Sequence, residues 1–236
     1  MKKLLALPLA LLFLAAGCAS FHPNPTPNVS LDKFQYKETE KGVTIGIDPY
    51  FAPVKTQSVF DNDFEDHEML ALLLDAQVPE LGEYEIKNTA LVLTDDAGKK
   101  MVPCGWQQAG QCVGRGYGYA VLWFFGTGFP GLFISAAHTA SVNIAIENDL
   151  KAREFVWGPV KEKEAKGFAY FNMESYKHKS PAQMKAHITV ENIKTKEPIK
   201  FDITFAPTAG WYGDVMPAAP APPKLVPAKA SNPMGI

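Results

Sequence analysis

The sequence predicts a mainly β protein in which antiparallel strands pack as a β-sandwich. Three observations support this fold class: short runs of alternating apolar and polar residues recur along the chain, turn-forming residues separate them, and only one stretch shows helical periodicity. Alternation places one face of a strand against a core and the other against water. With 236 residues and 47% hydrophobic residues, the chain is long enough for one domain with a substantial core.

The predicted strands run from Val43 to Phe205. They cover residues 43–47, 69–74, 90–94, 99–102, 167–171, 187–191 and 199–205. The stretch from Met69 to Leu74 is apolar throughout, which is typical of a buried strand. Residues 95–98, Asp-Asp-Ala-Gly, predict a hairpin turn between two of these strands. Strands of this number and spacing favour an immunoglobulin-like arrangement.

One helix is predicted within this pattern, at about residues 140–155. Val142, Ile146 and Leu150 recur at every fourth position and therefore share one face of a helix.

Both ends of the chain differ in composition from this central domain, which we place at residues 36–206. Residues 18–35 contain closely spaced prolines and small polar residues, which predicts an extended tether. Residues 207–236 are rich in proline and alanine, which predicts a disordered tail that serves as a solvated spacer.

The first 17 residues have the pattern of an export signal. Lys2 and Lys3 precede an apolar stretch, residues 4–14, which is too short to span a bilayer as a helix. The small residues 15–17 then lead directly to Cys18. We therefore predict a signal peptide at residues 1–17.

The segment Leu-Ala-Ala-Gly-Cys at residues 14–18 resembles the lipobox of bacterial lipoproteins, although Ala15 stands where leucine is favoured. This resemblance implies lipidation of Cys18 through a thioether, removal of the signal peptide and acylation of the new amino terminus. An ordinary secretory signal followed by a chance cysteine is the alternative. An aspartate directly after the cysteine resembles an inner-membrane retention signal, and this chain has Ala19 at that position. We therefore expect a lipid-anchored protein of the cell envelope, on the outer membrane and facing the periplasm.

Charge and cysteine content bound the partners of the protein. The net charge is -2, which gives no indication of a nucleic-acid partner. If Cys18 is lipidated, Cys104 and Cys112 remain as an even number of cysteines in an oxidising compartment, and we predict a disulfide between them. Two free thiols that bind a metal are the alternative, but this hypothesis lacks further ligands nearby.

The segment from Gly116 to Ile146 contains no Asp, Glu, Lys or Arg. Three interpretations compete: a transmembrane helix, a hydrophobic hairpin with arms at 119–125 and 132–137 that enters a membrane or a partner groove, and core packing on the sandwich. The glycines and the proline at its centre disfavour the helix. Aromatic side chains suit the membrane interface. The residues predicted to contact membrane or partner, within an insertion at 114–140, are Trp123, Phe124, Phe125, Phe129 and Phe133.

Motifs for chemistry are weak in this sequence. Asp61, Asp63 and Glu65 have the spacing of a calcium loop, but the glycine and glutamate that an EF-hand requires are missing. We interpret them as a solvated loop, with an irregular Ca²⁺ site as the alternative. Gly126, Gly128 and Gly131 match a dinucleotide fingerprint in the wrong structural context. We predict no catalytic residues, no cofactor and no metal ligands.

The stretches at residues 148–155 and 165–171 resemble a pattern in bacterial lipoproteins of unknown function that carry a glycine-rich hydrophobic insertion. The resemblance covers about residues 114–172 and implies an immunoglobulin-like sandwich, without catalytic residues to transfer. We therefore expect a non-enzymatic envelope protein that contacts membrane or a protein partner through its apolar insertion. A small-ligand binding protein or an enzyme with an aromatic-lined pocket is one alternative, and a subunit of a larger envelope assembly is another.

Overall fold

The computed structural model describes residues 21–114, 129–176 and 181–207, with the backbone alone at 129–135 and 175. Its strands are β1 (Tyr36–Glu40), β2 (Val43–Tyr50), β3 (Met69–Gln77), β4 (Tyr84–Ile86), β5 (Leu91–Asp95), β6 (Lys100–Met101), β7 (Gly158–Pro159), β8 (Glu164–Asn172), β9 (Met184–Asn192) and β10 (Pro198–Phe205). Its helices are α1 (Pro53–Phe60), α2 (Trp106–Val113) and α3 (Phe129–Arg153). Each predicted strand is confirmed.

The strands form two antiparallel sheets. Sheet 1 has the order β1-β2-β3-β8. In sheet 2, β9 is central: β10 pairs along one of its edges, and β5 and β4 share the other, with β6 and β7 beyond them. The mainly β, two-sheet fold is thus confirmed, whereas this strand order does not confirm the immunoglobulin-like topology.

The two sheets enclose the larger hydrophobic core. Strand β10 alternates strictly, so that Ile199, Phe201, Ile203 and Phe205 are buried while the residues between them are exposed. The sheets also meet along one edge, where the Asp202 N–H donates to the Glu38 carboxylate at 3.0 Å. The period-two pattern seen in the sequence therefore corresponds to a sandwich core.

A second core lies on the outer face of sheet 1, under the helices. In β3 every residue except the last is buried, because the sandwich core covers one face and the helix layer covers the other. Val142, Ile146 and Leu150 of α3 are buried in this second core, as their spacing predicts. The molecule therefore has three layers: sheet 2, sheet 1 and the helices.

The helix count differs from the expectation of a single helix, since the described residues form three. In α1 the buried residues are Lys55, Thr56, Val59 and Phe60. A buried face that is half polar leaves no apolar repeat in the sequence, and α1 was therefore missed.

Lys55 holds α1 against the end of β2. Its side chain is 1% exposed and forms an ion pair with Asp48, which is 5% exposed. The ammonium also donates to the Pro49 carbonyl at 2.8 Å and lies 4.3 Å from the centre of the Tyr50 ring. Burial lowers the pKa of Lys55 although Asp48 acts in the opposite direction, and burial together with Asp48 raises the pKa of Tyr50.

Helix α3 begins earlier than predicted, at Phe129, and includes the residues assigned to the second arm of the hairpin. That arm is therefore helical, and the first arm lies outside the described residues. Within the described part of the chain, no helix is long and apolar enough to cross a membrane.

Candidate functional site

The Pro-rich segment that follows the predicted lipid anchor lies against the helix layer. We call residues 21–30 the strap; their backbone is irregular and they precede the buried Leu31. The His22 N–H donates to Asp61 Oδ2 at 2.8 Å. The Asn24 N–H donates to the Val59 carbonyl at 3.1 Å, and its side-chain amide donates to the Ser58 carbonyl at 2.6 Å. The predicted tether thus contacts the domain along its length.

Two cations from the domain complete this attachment. Arg153, at the end of α3, donates from Nη2 to the Asn24 carbonyl at 2.5 Å. Lys166, on β8, donates to the Val29 carbonyl at 2.7 Å. A hydrogen bond from a charged donor is stronger than one between neutral groups, so these two contacts add to the bonds that the strap makes with α1.

Arg153 is largely buried, with 9% of its surface exposed. Asp149, one helical turn earlier, pairs with it at 2.8 Å, and the guanidinium lies 5.4 Å from the centre of the Phe60 ring. Burial raises the pKa of Asp149 even though Arg153 opposes this effect. Among the described residues, Nε and Nη1 of Arg153 form no hydrogen bond, so the strap carbonyl supplies one of the few acceptors for this cation.

Lys166 belongs to a second charged group under the strap. It pairs with the fully buried Asp75 at 2.7 Å and with Glu164 at 2.8 Å. Burial raises the pKa of Asp75 to about 6, although Lys166 opposes the shift. Burial lowers the pKa of Lys166, but hydrogen bonds to both carboxylates outweigh it and the net shift is upward.

The acidic run after α1 forms a loop in which carboxylates accept hydrogen bonds from backbone N–H groups. Asp61 ends α1 in a left-handed conformation, φ 50°, and accepts the His22 N–H. Asp63 Oδ1 accepts the Glu65 N–H at 3.0 Å. Across the described ranges, no group of three or more His, Cys, Asp or Glu side chains is placed to hold a metal ion.

The last described residues before the uncharged segment lie beside the start of the strap. Asn62, next to Asp61, donates from its side chain to the Val113 carbonyl at 2.8 Å. Val113 ends α2, and residue 115 begins the part of the chain outside the described residues. We call the surface formed by His22, Asp61, Asn62 and Val113 the anchor end.

The distance from the anchor end to the predicted lipid is short. Only two residues separate Phe21 from Cys18. Because an extended chain spans at most ~3.6 Å per residue, Phe21 lies within about 11 Å of Cys18. A lipid at Cys18 would therefore hold the anchor end close to the membrane surface.

Helix α3 extends from the anchor end in the direction of its N-terminus. A Cβ atom on Gly114 would lie 3.5 Å from the Asn143 side chain, so Asn143 marks the level of the anchor end on α3. The fourteen residues from Phe129 to Val142 precede that level, and at 1.5 Å per residue they span about 21 Å of helix. The first charged residue of α3 is Glu147.

Some of the predicted contact residues lie outside the described residues. Cys18, Trp123, Phe124 and Phe125 are outside the described residues. Phe129 and Phe133 belong to α3, of which only the backbone is described there. The structure brings both flanks of the segment to the anchor end, a relation that the sequence alone did not reveal.

Cys104 and Cys112 are both free thiols in the structure. The Cys104 N–H donates to the Tyr170 carbonyl at 2.8 Å, whereas Cys112 lies within α2. Burial, with a contribution from Cys112, raises the pKa of Cys104 to about 11. The disulfide stays a prediction from the sequence.

No protein-family model, curated protein or solved structure matches this chain.

Proposed function

We propose that this protein is a lipid-anchored, non-enzymatic component of the bacterial cell envelope, held at the periplasmic face of the outer membrane by Cys18. Its uncharged segment makes a second contact at the same surface, with the membrane itself. The proposal depends on the two-sheet scaffold and not on an immunoglobulin-like strand order.

One observation carries the proposal: the first described residues after Cys18 and the last described residues before the uncharged segment meet at one end of the domain. His22 bonds to Asp61, and Val113 bonds to the adjacent Asn62. A domain held by Cys18 would therefore present Val113, three residues before the uncharged segment, to the surface that holds the lipid. Aromatic and aliphatic side chains in that segment gain free energy when they leave water for the interface.

Lipidation is tested first, by intact-mass analysis of the protein extracted from membranes. We expect the mass of the chain from Cys18 onward plus acyl groups, and the loss of both lipid and membrane fraction in Cys18→Ser. An unmodified Cys18 in the mature protein would refute the anchor.

The second contact is tested by liposome flotation of the chain from Ala19 onward, which lacks the anchor. We compare it with a variant carrying Phe124→Ser, Phe125→Ser and Phe129→Ser. If each ring contributes a third of the ~1.5–3 kcal/mol of full burial, their removal weakens binding at least about tenfold.

A matched control replaces three exposed apolar residues elsewhere, Leu81, Val102 and Val156, with serine. This control should float like the parent chain. Equal flotation of the parent chain and the Phe variant refutes membrane contact. If neither floats but crosslinking in cells gives a constant protein partner, the segment contacts that protein instead.

A further inference from the structure

We infer that the strap is a releasable spacer that sets how far the domain can stand from the membrane. This inference rests on the proposed function, because it takes Cys18 as the lipid-bearing residue. With the strap docked, the three steps from Cys18 to Phe21 limit the span to about 11 Å. With the strap released, the thirteen steps from Cys18 to Leu31 allow up to about 47 Å.

The strap is built to detach without disturbing the core. None of residues 21–30, all of which are described, is buried. Hydrogen bonds to α1, Arg153 and Lys166 hold them, and the partly buried Phe21 and Val29 also pack against the second core. Contacts of this kind open locally at lower free energy than packed core residues. The strap can therefore detach from the domain while both cores stay intact.

A defined hinge marks the end of the releasable segment. Leu31 is 8% exposed and Phe34 is 2% exposed, and both pack over Gly46 of β2. A Cβ atom on Gly46 would lie 2.9 Å from the Phe34 ring and would also overlap Leu31, so only glycine leaves room for them. The chain is fixed from Leu31 onward, and release stops there.

The charged groups under the strap keep partners after release. Arg153 retains Asp149, and Lys166 retains Asp75 and Glu164. Each cation loses one strap carbonyl, which water can replace at the newly exposed surface. Release therefore leaves no buried charge without a counter-ion among these residues.

The first test is hydrogen exchange of the chain from Ala19 onward. The amides of His22 and Asn24 donate to the domain, so we expect slower exchange than in an unstructured peptide of the same sequence. Asn24→Pro keeps the carbonyl that Arg153 binds but removes the Asn24 N–H and its side-chain amide, and it should speed exchange of the His22 amide at least tenfold. Asn28→Pro is the matched control, because Asn28 is exposed and lies between the attachment points at Asn24 and Val29.

The second test measures distance from a bilayer by neutron reflectometry of the lipidated protein. The background carries Phe124→Ser, Phe125→Ser and Phe129→Ser, so that the strap alone sets the distance. We expect a gap of at most about 11 Å with the native strap and with Asn28→Pro, and a wider gap, up to about 47 Å, with Asn24→Pro.

Two results overturn the inference: unprotected strap amides in the native protein, or an unchanged gap when Asn24→Pro has freed them. Neither result bears on the flotation of the Phe variant, which tests the proposed membrane contact separately. Absence of lipid on Cys18 refutes the anchor and the spacer role together, whereas the exchange measurement still shows whether the strap is docked.

Discussion

Replacement of Lys55 by methionine tests how α1, and with it the strap, is held on sheet 1. Methionine keeps the length of the side chain and removes its charge. Asp48 then stays buried without the ammonium that neutralises it. Loss of one partner from a buried ion pair costs about 3–5 kcal/mol. Since Lys55 is 1% exposed, little solvent is present to reduce that cost, and we expect a loss of about 3 kcal/mol or more in the free energy of unfolding.

Urea denaturation at pH 7 measures this loss, together with Asp48→Asn and the double variant. The double variant removes both charges and should recover at least about 2 kcal/mol relative to the sum of the single changes. Lys194→Met breaks an exposed pair with Glu83 and should change stability little. Strict additivity of the two single changes would refute the account of α1 as held by a buried ion pair.

Three further predictions concern residues under the helix layer. Asp75→Asn tests the raised pKa of Asp75, about 6 in the folded state. A folded-state pKa above the unfolded value favours folding at low pH, so the stability of the native protein should rise by about 1 kcal/mol relative to the variant between pH 7.5 and pH 5. Paired thermal melts measure this difference, and parallel pH curves would contradict it. Gly167→Ala places a Cβ 2.5 Å from Phe155 Cα and should cost about 1–3 kcal/mol in urea, whereas unchanged stability means that the backbone there yields. Tyr170→Phe removes a 3.0 Å hydrogen bond to α3 and should cost about 1 kcal/mol, with a fully native melt as the contrary result.

The strands of both sheets were predictable because burial determines which of their side chains are apolar. Strand β10 buries every second residue, so its sequence alternates, and β3 is covered on both faces, so its sequence is apolar throughout. Helix α3 was found for the same reason, through the face that contains Val142, Ile146 and Leu150. Strands β4 and β7 have three and two residues, which is too short for a period to be recognised.

The anchor end could not be predicted, because the contacts that build it involve backbone groups. The strap is held through the carbonyls of Ser58, Val59 and Asn24, which every residue type carries. Only proline content marks the segment, and proline content predicts extension rather than docking. Pro53 at the start of α1 was an available signal for a helix, since proline is favoured at the first helical position.

Docking of the strap affects the avidity with which the proposed lipid anchor and the uncharged segment would bind one membrane. Two linked contacts bind with an effective concentration that falls roughly as the −3/2 power of linker length. With the proposed lipid on Cys18, release of the strap would lengthen the linker to the domain from three residues to thirteen. The effective concentration of the uncharged segment at the bilayer would then fall about ninefold. The hydrogen bonds of Asn24 would thus raise the avidity of the proposed membrane contact, in which Asn24 takes no part. Occupancy of that contact would change while its own side chains stay the same.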